Sequence, residues 1–158
     1  MQKALVVYYS QSGNTKAMAD IIFHAIQEEE VEVVVKAVTE TQARELLEYD
    51  AIIMGSPTYY GTMAYEVKKL LDESVQFHGR LSGKIGAAFS SSANIGGGNE
   101  TTIIDILKSF LIHGMIIQGD AKGDHYGPVA INLPDERATN ECKRFGKRIA
   151  KLVKQIFE

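Results

Sequence analysis

Five short β-type runs, each followed by a stretch of helical periodicity, constrain this chain more than any other feature. The runs are Ala4–Tyr9, Val31–Val35, Ala51–Met54, Ile85–Phe89 and Met115–Ile117. Most are apolar throughout rather than alternating, as expected of strands covered on both faces. Between them, apolar residues recur at helical spacing. Ala17, Met18, Ile21, Ile22, Ala25 and Ile26 mark one helix, Leu46 and Leu47 a short second one, Val67, Leu70 and Leu71 a third, and Ile103, Ile104, Leu107, Phe110 and Leu111 a fourth. Thr39 and Gln42 have capping-box spacing before the second helix. Gly114 stands where a helix C-terminal stop is expected. Asp135 is placed to cap a last helix with Ala138, Cys142, Phe145, Ile149, Leu152, Val153 and Ile156 on its apolar face. This alternation predicts one α/β domain over residues 1–158: a parallel sheet of five strands in the order 2-1-3-4-5, with helices on both faces.

In such a sheet, ligands bind at the carboxyl ends of the strands, near the point where the strand order reverses. The loops after strands 1, 3 and 4 are therefore the ones to read for function. The first is Ser10-Gln11-Ser12-Gly13-Asn14-Thr15. A helix N-terminus offers unpaired N–H groups and a partial positive charge. Gly13 lets the backbone turn, and hydroxyls and the Asn14 amide add donors. A phosphate monoester can thus be held by neutral groups alone. The spacing and lysine of a nucleotide-hydrolysing loop are missing. The plainer alternative is a strand-to-helix turn capped by Ser or Thr. The second loop, Gly55 to Met63, carries Pro57, Thr58, Tyr59, Tyr60 and Gly61. Its paired tyrosines offer flat faces for a planar ring, or else form an amphipathic surface turn. The third, Ser90 to Glu100, repeats the small polar chemistry with Ser91, Ser92, Ala93, Asn94, Ile95 and Gly96. Each loop has a bland reading by itself; three at one sheet edge point to a ligand site.

Charge and composition exclude several classes. The net charge is −3, which gives no electrostatic reason to expect nucleic acid or an anionic membrane as partner. Cys142 is the only cysteine, so neither an intrachain disulfide nor a cysteine zinc site is expected. The N-terminus enters a strand pattern at once and no apolar run approaches a membrane span, so a soluble cytoplasmic protein is expected.

The segment "YSQSGNT" resembles the phosphate-binding loop of flavodoxins. "DAIIMGSPTYYGTM" and "GKIGAAFSSSANIGGGNETTI", followed by "HGMII", resemble more specifically the WrbA-type NAD(P)H:quinone oxidoreductases and related short flavodoxin-fold proteins. The resemblance covers nearly the whole chain. It implies a flavodoxin-like fold with FMN as cofactor. Ser10 to Thr15 would hold the phosphate, Pro57 to Gly61 would line the isoalloxazine and ribityl chain, and Ser91 to Gly96 would meet the pyrimidine side. It also implies that His113, which matches a histidine before the "GM" of strand 5, lies near the flavin; the alternative is a helix-end histidine on the last-turn carbonyls. Tyr126, in Asp124-His125-Tyr126-Gly127-Pro128, is a further candidate for covering the flavin, against a surface turn shaped by Gly127 and Pro128.

The chain also departs from the WrbA pattern. It lacks their insertion before strand 3. Ser12 stands where they place an aromatic residue for nicotinamide, Tyr59 stands for an arginine beside the flavin, and there is no tryptophan. Two redox readings follow. One is an FMN carrier passing electrons between redox partner proteins; the other is an enzyme using NAD(P)H to reduce quinones. A signalling receiver on the same fold is disfavoured, since Tyr8-Tyr9-Ser10 and Met54-Gly55-Ser56 replace the acidic cluster it needs. Exposed aromatic surface at Tyr59, Tyr60, Phe77 and Tyr126 would suit a homodimer or higher oligomer.

Overall fold

A computed structural model describes residues 1–158. The strands are β1 (Lys3–Tyr8), β2 (Glu32–Ala37), β3 (Ala51–Tyr59), β4 (Thr62–Met63), β5 (Ile85–Ser92) and β6 (Val129–Ile131). The α-helices are α1 (Asn14–Gln27), α2 (Tyr65–Glu73), α3 (Asn99–Ile112) and α4 (Glu136–Phe157). The main sheet runs β2-β1-β3-β5-β6 with every neighbour parallel. This is the expected 2-1-3-4-5 order; the short β4, antiparallel to β3, lies off that path.

The period-two geometry of the strands divides the core. Ala4, Val6, Ala51, Ile53, Ala87 and Phe89 point to the face covered by α1 and α4. Leu5, Val7, Ile52, Met54 and Ala88 point to the face covered by α2 and α3. All these side chains are at most 5% exposed, so both faces of the three central strands are dry. That is why their sequences read as apolar runs without alternation.

Four local expectations are corrected. First, β3 does not stop at Gly55-Ser56-Pro57 but continues to Tyr59. Pro57 is tolerated because β1 pairs with β3 only as far as Gly55, leaving that side of the strand without a ladder to interrupt. The chain then folds back through Tyr60 and Gly61, whose φ values of 49° and 81° make the turn that joins β3 to β4. Second, Ser90 does not begin a loop: Ser90, Ser91 and Ser92 are buried strand residues at the end of β5.

Third, the fifth strand is not Met115–Ile117. Ile116 makes only an isolated bridge to Ile85. The chain then leaves the sheet and returns as β6, where Val129, Ala130 and Ile131 pair with Ser90, Ser91 and Ser92. The excursion is anchored on α4. Arg137 pairs with Asp124 at 2.9 Å, Arg144 with Asp120 at 2.8 Å, and Arg148 donates to the Gln118 and Gly119 carbonyls at 2.8 and 2.9 Å. Those long-range partners, invisible to local periodicity, determine where the edge strand forms. Fourth, Thr39 does not start a capping box. It lies within a 3-10 turn (Val38–Glu40), and the box joins Gln42 to Glu45, with Gln42 N–H donating to Glu45 Oε1 at 2.8 Å.

Other terminators stand where expected. Gly114 follows α3, its N–H donating to Leu111 O and that of Met115 to Phe110 O, both at 3.0 Å. Asp135 Oδ1 accepts from Ala138 N–H at 2.8 Å and caps α4. No helix is long and apolar enough to cross a membrane.

Candidate functional site

At the carboxyl edge of β1, β3 and β5, a cleft of about 280 Å³ is lined from the β1–α1 loop by Ser10, Gln11, Ser12, Asn14 and Thr15. Pro57, Thr58 and Tyr59 of β3 and Ser91, Ser92 and Ala93 from the end of β5 complete its walls, with Asn132 after β6. Three segments far apart in sequence therefore meet in one place, as their positions after strands 1, 3 and 4 require.

The floor of the cleft is an uncapped helix N-terminus. Gly13 adopts φ 96°, a left-handed conformation that suits glycine and swings the chain into α1. Its N–H is taken by Ser10 Oγ at 3.1 Å, but no side chain caps the first turn of α1 and none of its residues is acidic. The first-turn N–H groups therefore stay available, with the positive end of the helix dipole behind them. Lys16 Nζ is committed to Asp20 at 2.7 Å, one turn along the helix. The donors this loop offers to the cleft are thus backbone and hydroxyl groups.

Hydroxyl contacts fix the walls to one another. Buried Thr15 and Ser91 meet through their Oγ atoms at 2.9 Å, tying α1 to β5. Ser90 Oγ donates to Ser56 O at 2.8 Å and lies 3.0 Å from Thr58 Oγ1, tying β5 to β3. Thr102 and Thr101 of α3 donate to Gly98 O at 2.9 Å and Gly61 O at 2.7 Å, which holds the β3–β4 turn against the start of α3. Asn99 Nδ2 donates to Ser92 Oγ at 3.0 Å. Preorganised donors on strand ends and helix starts give the cleft a defined shape before any ligand arrives.

Its aromatic wall is Tyr59. The phenol donates to Gln11 Oε1 at 3.0 Å, and the ring packs edge-on against Tyr9 with centroids 6.5 Å apart. Partial burial pushes the Tyr59 phenol's pKa up, and the Glu66 carboxylate adds to the effect, so the group is a neutral donor at physiological pH. Tyr60 and Gly61 form the adjoining turn, with Tyr60 fully solvent-exposed. Asn94, Ile95 and Gly96 are exposed on the loop that follows β5, Ile95 at 88%. These five residues border the mouth of the cleft without lining it.

Two other candidates lie elsewhere. His113 follows the last turn of α3 and is buried. It lines a separate cavity of about 980 Å³ between α2 and α3, together with Met63, Leu71, Val75, His78 and Ile112. Its Nε2 is 2.8 Å from Ser74 Oγ, which itself donates to Leu71 O at 2.6 Å. Ser74 has one hydrogen, so Nε2 must carry the proton of the neutral ring, and the buried Nδ1 has no partner. Burial first, and His78 second, lower the His113 pKa. Tyr126, half-exposed within the 118–128 excursion, is not among the residues lining the cleft. Its neighbour His125 is held by the Asp120 carbonyl, Nδ1 to O 2.7 Å.

Sequence reasoning missed Asn132. Its N–H donates to Ser92 O at 2.8 Å, and its φ of 59° turns the chain off β6 and brings it to the cleft. The signal was present, since Asn tolerates this conformation and Val129-Ala130-Ile131 precedes it, but it is legible only once the edge strand is placed there.

Fold and cleft together define a doubly wound α/β protein with an uncapped helix start at the strand-order reversal. Comparison with known proteins narrows the class. A family model described as "Flavodoxin domain" matches residues 5–108. A flavodoxin of Clostridium saccharobutylicum is 37% identical over 161 aligned positions, covering 98% of this chain and 99% of its own. An NAD(P)H dehydrogenase (quinone) of Archaeoglobus fulgidus is 33% identical over 190 positions, covering 99% and 100%. A solved flavodoxin from the domain Archaea is 36% identical, with TM-score 0.79 and coverage of 97% of this chain and 99% of that one. The chain belongs to the flavodoxin domain family and is a flavodoxin-like redox protein.

Proposed function

We propose that this protein holds FMN in the cleft at the carboxyl edge of the sheet and carries electrons between redox partner proteins. The observation that carries the proposal is the donor set at the start of α1: open N–H groups, the hydroxyls of Ser10, Ser12 and Thr15, and the Asn14 amide, with no acidic residue in the turn. That set matches a phosphate monoester dianion, which the helix dipole offsets without Lys or Arg. Pro57, Thr58 and Tyr59, with Tyr60 and Gly61 beyond them, would border the ring and ribityl chain. Ser91, Ser92 and Ala93, followed by Asn94, Ile95 and Gly96, would offer polar contacts to the opposite ring edge. Bound FMN supplies the redox chemistry. The residues of this chain bind and orient it. Tyr59 gives the ring a wall held in place by Gln11 and Tyr9, and the hydroxyls of buried Ser90 and Thr102 and half-buried Thr58 keep that wall fixed relative to the phosphate site.

A carrier role is supported by the alignments. The flavodoxin relative aligns over 161 positions, close to the 158 residues here, whereas the quinone dehydrogenase needs 190 and so carries insertions that this chain lacks. Ser12, Tyr59 and the absence of tryptophan also favour a carrier over an enzyme that takes hydride from nicotinamide. The second reading, an NAD(P)H-dependent quinone oxidoreductase, is favoured by the likeness of the "SSSANIGGGNETTI" segment and by the quinone dehydrogenase relative. Two measurements test both. The purified protein is expected to bind FMN with a flavin visible spectrum; failure to bind removes the proposal. Anaerobic mixing of the loaded protein with NADH or NADPH is expected to leave the flavin oxidised. Rapid bleaching would replace the carrier with the quinone enzyme.

A further inference from the structure

The chain is negatively charged overall, yet its last helix is basic. α4 carries seven Lys and Arg against two Glu, a local charge of +5, so the rest of the chain bears −8 against a total of −3. At about 100° per residue, Lys143, Lys147, Arg148, Lys151, Lys154 and Gln155 fall within an arc of about 140°. Cys142, Phe145, Ile149 and Val153 occupy the opposite side and are buried against α1 and the sheet. The basic arc is therefore the solvent face of a helix whose apolar face is already used.

Some of this charge is spoken for. Arg137 and Arg144 hold Asp124, Asp120 and Glu141, and Lys147 lies 3.3 Å from Glu28. Lys143, Arg148, Lys151 and Lys154 form no ion pair. Arg148 is a special case. Its Nη1 is anchored by the Gln118 and Gly119 carbonyls, neutral acceptors that set its position without offsetting its charge. A depression of about 470 Å³, lined by Gln118, Lys147, Arg148, Lys151 and Gln155, opens beside it.

We propose that the solvent face of α4 from Lys143 to Gln155 is a docking surface for an acidic segment of a partner protein. The free cations are strung over about 16 Å of helix rather than gathered around one point, which suits an extended row of carboxylates and not a single small anion. An anionic bilayer is a poorer fit, because the helix has no apolar face left to insert and an extended surface meets the −8 of the remaining chain. Charges of this kind steer encounter and set orientation. The surface is also distinct from the cleft. α4 begins four residues after the cleft residue Asn132, and Arg148 lies about 18 Å further along its axis. A partner held here leaves the cleft open, and the inference does not depend on what fills it.

The test titrates isotope-labelled full-length protein with an octaglutamate peptide, read by NMR and calorimetry. Shift changes are expected along residues 143–155 and at Gln118 and Gly119, with affinity falling about tenfold between about 50 and about 200 mM salt. The variant Lys151→Glu/Lys154→Glu should abolish binding while Lys151→Arg/Lys154→Arg retains it; both substitute surface positions, and circular dichroism verifies folding. Lys68→Glu/Lys69→Glu on α2 should leave binding intact. No binding, or shifts centred on the cleft, overturns the proposal. So does equal or tighter binding of tripolyphosphate at the same residues, which assigns a small-anion site, or sedimentation with phosphatidylglycerol vesicles when the peptide fails to bind, which assigns a membrane.

Discussion

At the residue scale, the cleft depends on a few hydroxyls whose partners come from other elements. Thr15 and Ser91 meet across 76 positions of sequence, both buried. Thr15→Val keeps the shape but leaves Ser91 Oγ without that partner, at a cost of about 1–3 kcal/mol. We expect FMN affinity to fall about tenfold or more in a binding titration, since Thr15 is also one of the proposed phosphate donors. Unchanged affinity would show that Thr15 only packs. His113 gives a prediction about pH. Burial holds its folded pKa below the ordinary 6.5, so above 6.5 the ring is neutral in both states and its contribution is complete. As pH falls through 6.5 toward the lower folded value, the unfolded chain takes up the proton first and stability declines. His113→Gln keeps an N–H for Ser74 and removes the titration. Its thermal midpoint should drop less than that of the wild type between about pH 7 and about pH 5.

At the element scale, the edge strand β6 depends on how closely the chain before it approaches β5. A Cβ at Gly127 would lie 2.0 Å from the Ala88 carbonyl oxygen, and its φ of 149° is one that other residues rarely adopt. Next to it, Ser90 N–H donates to Pro128 O at 3.1 Å, and Asn132 N–H reaches Ser92 O at 2.8 Å. Gly127→Ala should therefore unseat β6 while sparing the central strands. Hydrogen exchange should speed up by more than about tenfold at the Ser90 and Asn132 amides and remain slow in β1 and β3. Equal protection in both proteins would mean that the backbone yields locally instead. The same element was the least legible in the sequence. Met115–Ile117 has strand composition but makes a single bridge, whereas Val129–Ile131 sits between Pro128 and Asn132 and looks like part of a loop. Three residues are too few for periodicity to register, and the carbonyls and carboxylates that fold the 118–128 excursion onto α4 are met only in three dimensions.

At the scale of the whole molecule, two core clusters of 19 residues each lie on opposite faces of one sheet and take alternate residues from the same strands. Neither can lose its strands without exposing the other. Unfolding in urea should be one transition, coincident by circular dichroism and tyrosine fluorescence; separated midpoints would mean that the faces are independent units. Strand and helix order, the parallel sheet, the α4 cap at Asp135 and the three loops around the cleft could all be read from the chain. Burial on both faces and helical spacing write themselves into local residue types. Tertiary structure decided the rest. It carried β3 through Pro57, because its neighbour β1 had already ended, and it drew the serines after Phe89 into a strand, because Thr58, Thr15 and Asn99 were there to meet them. It also moved the edge strand past Pro128 and set His113 beside Ser74 in a second cavity. Each of these outcomes rests on a partner dozens of residues away, and a contact of that range leaves no period in the sequence.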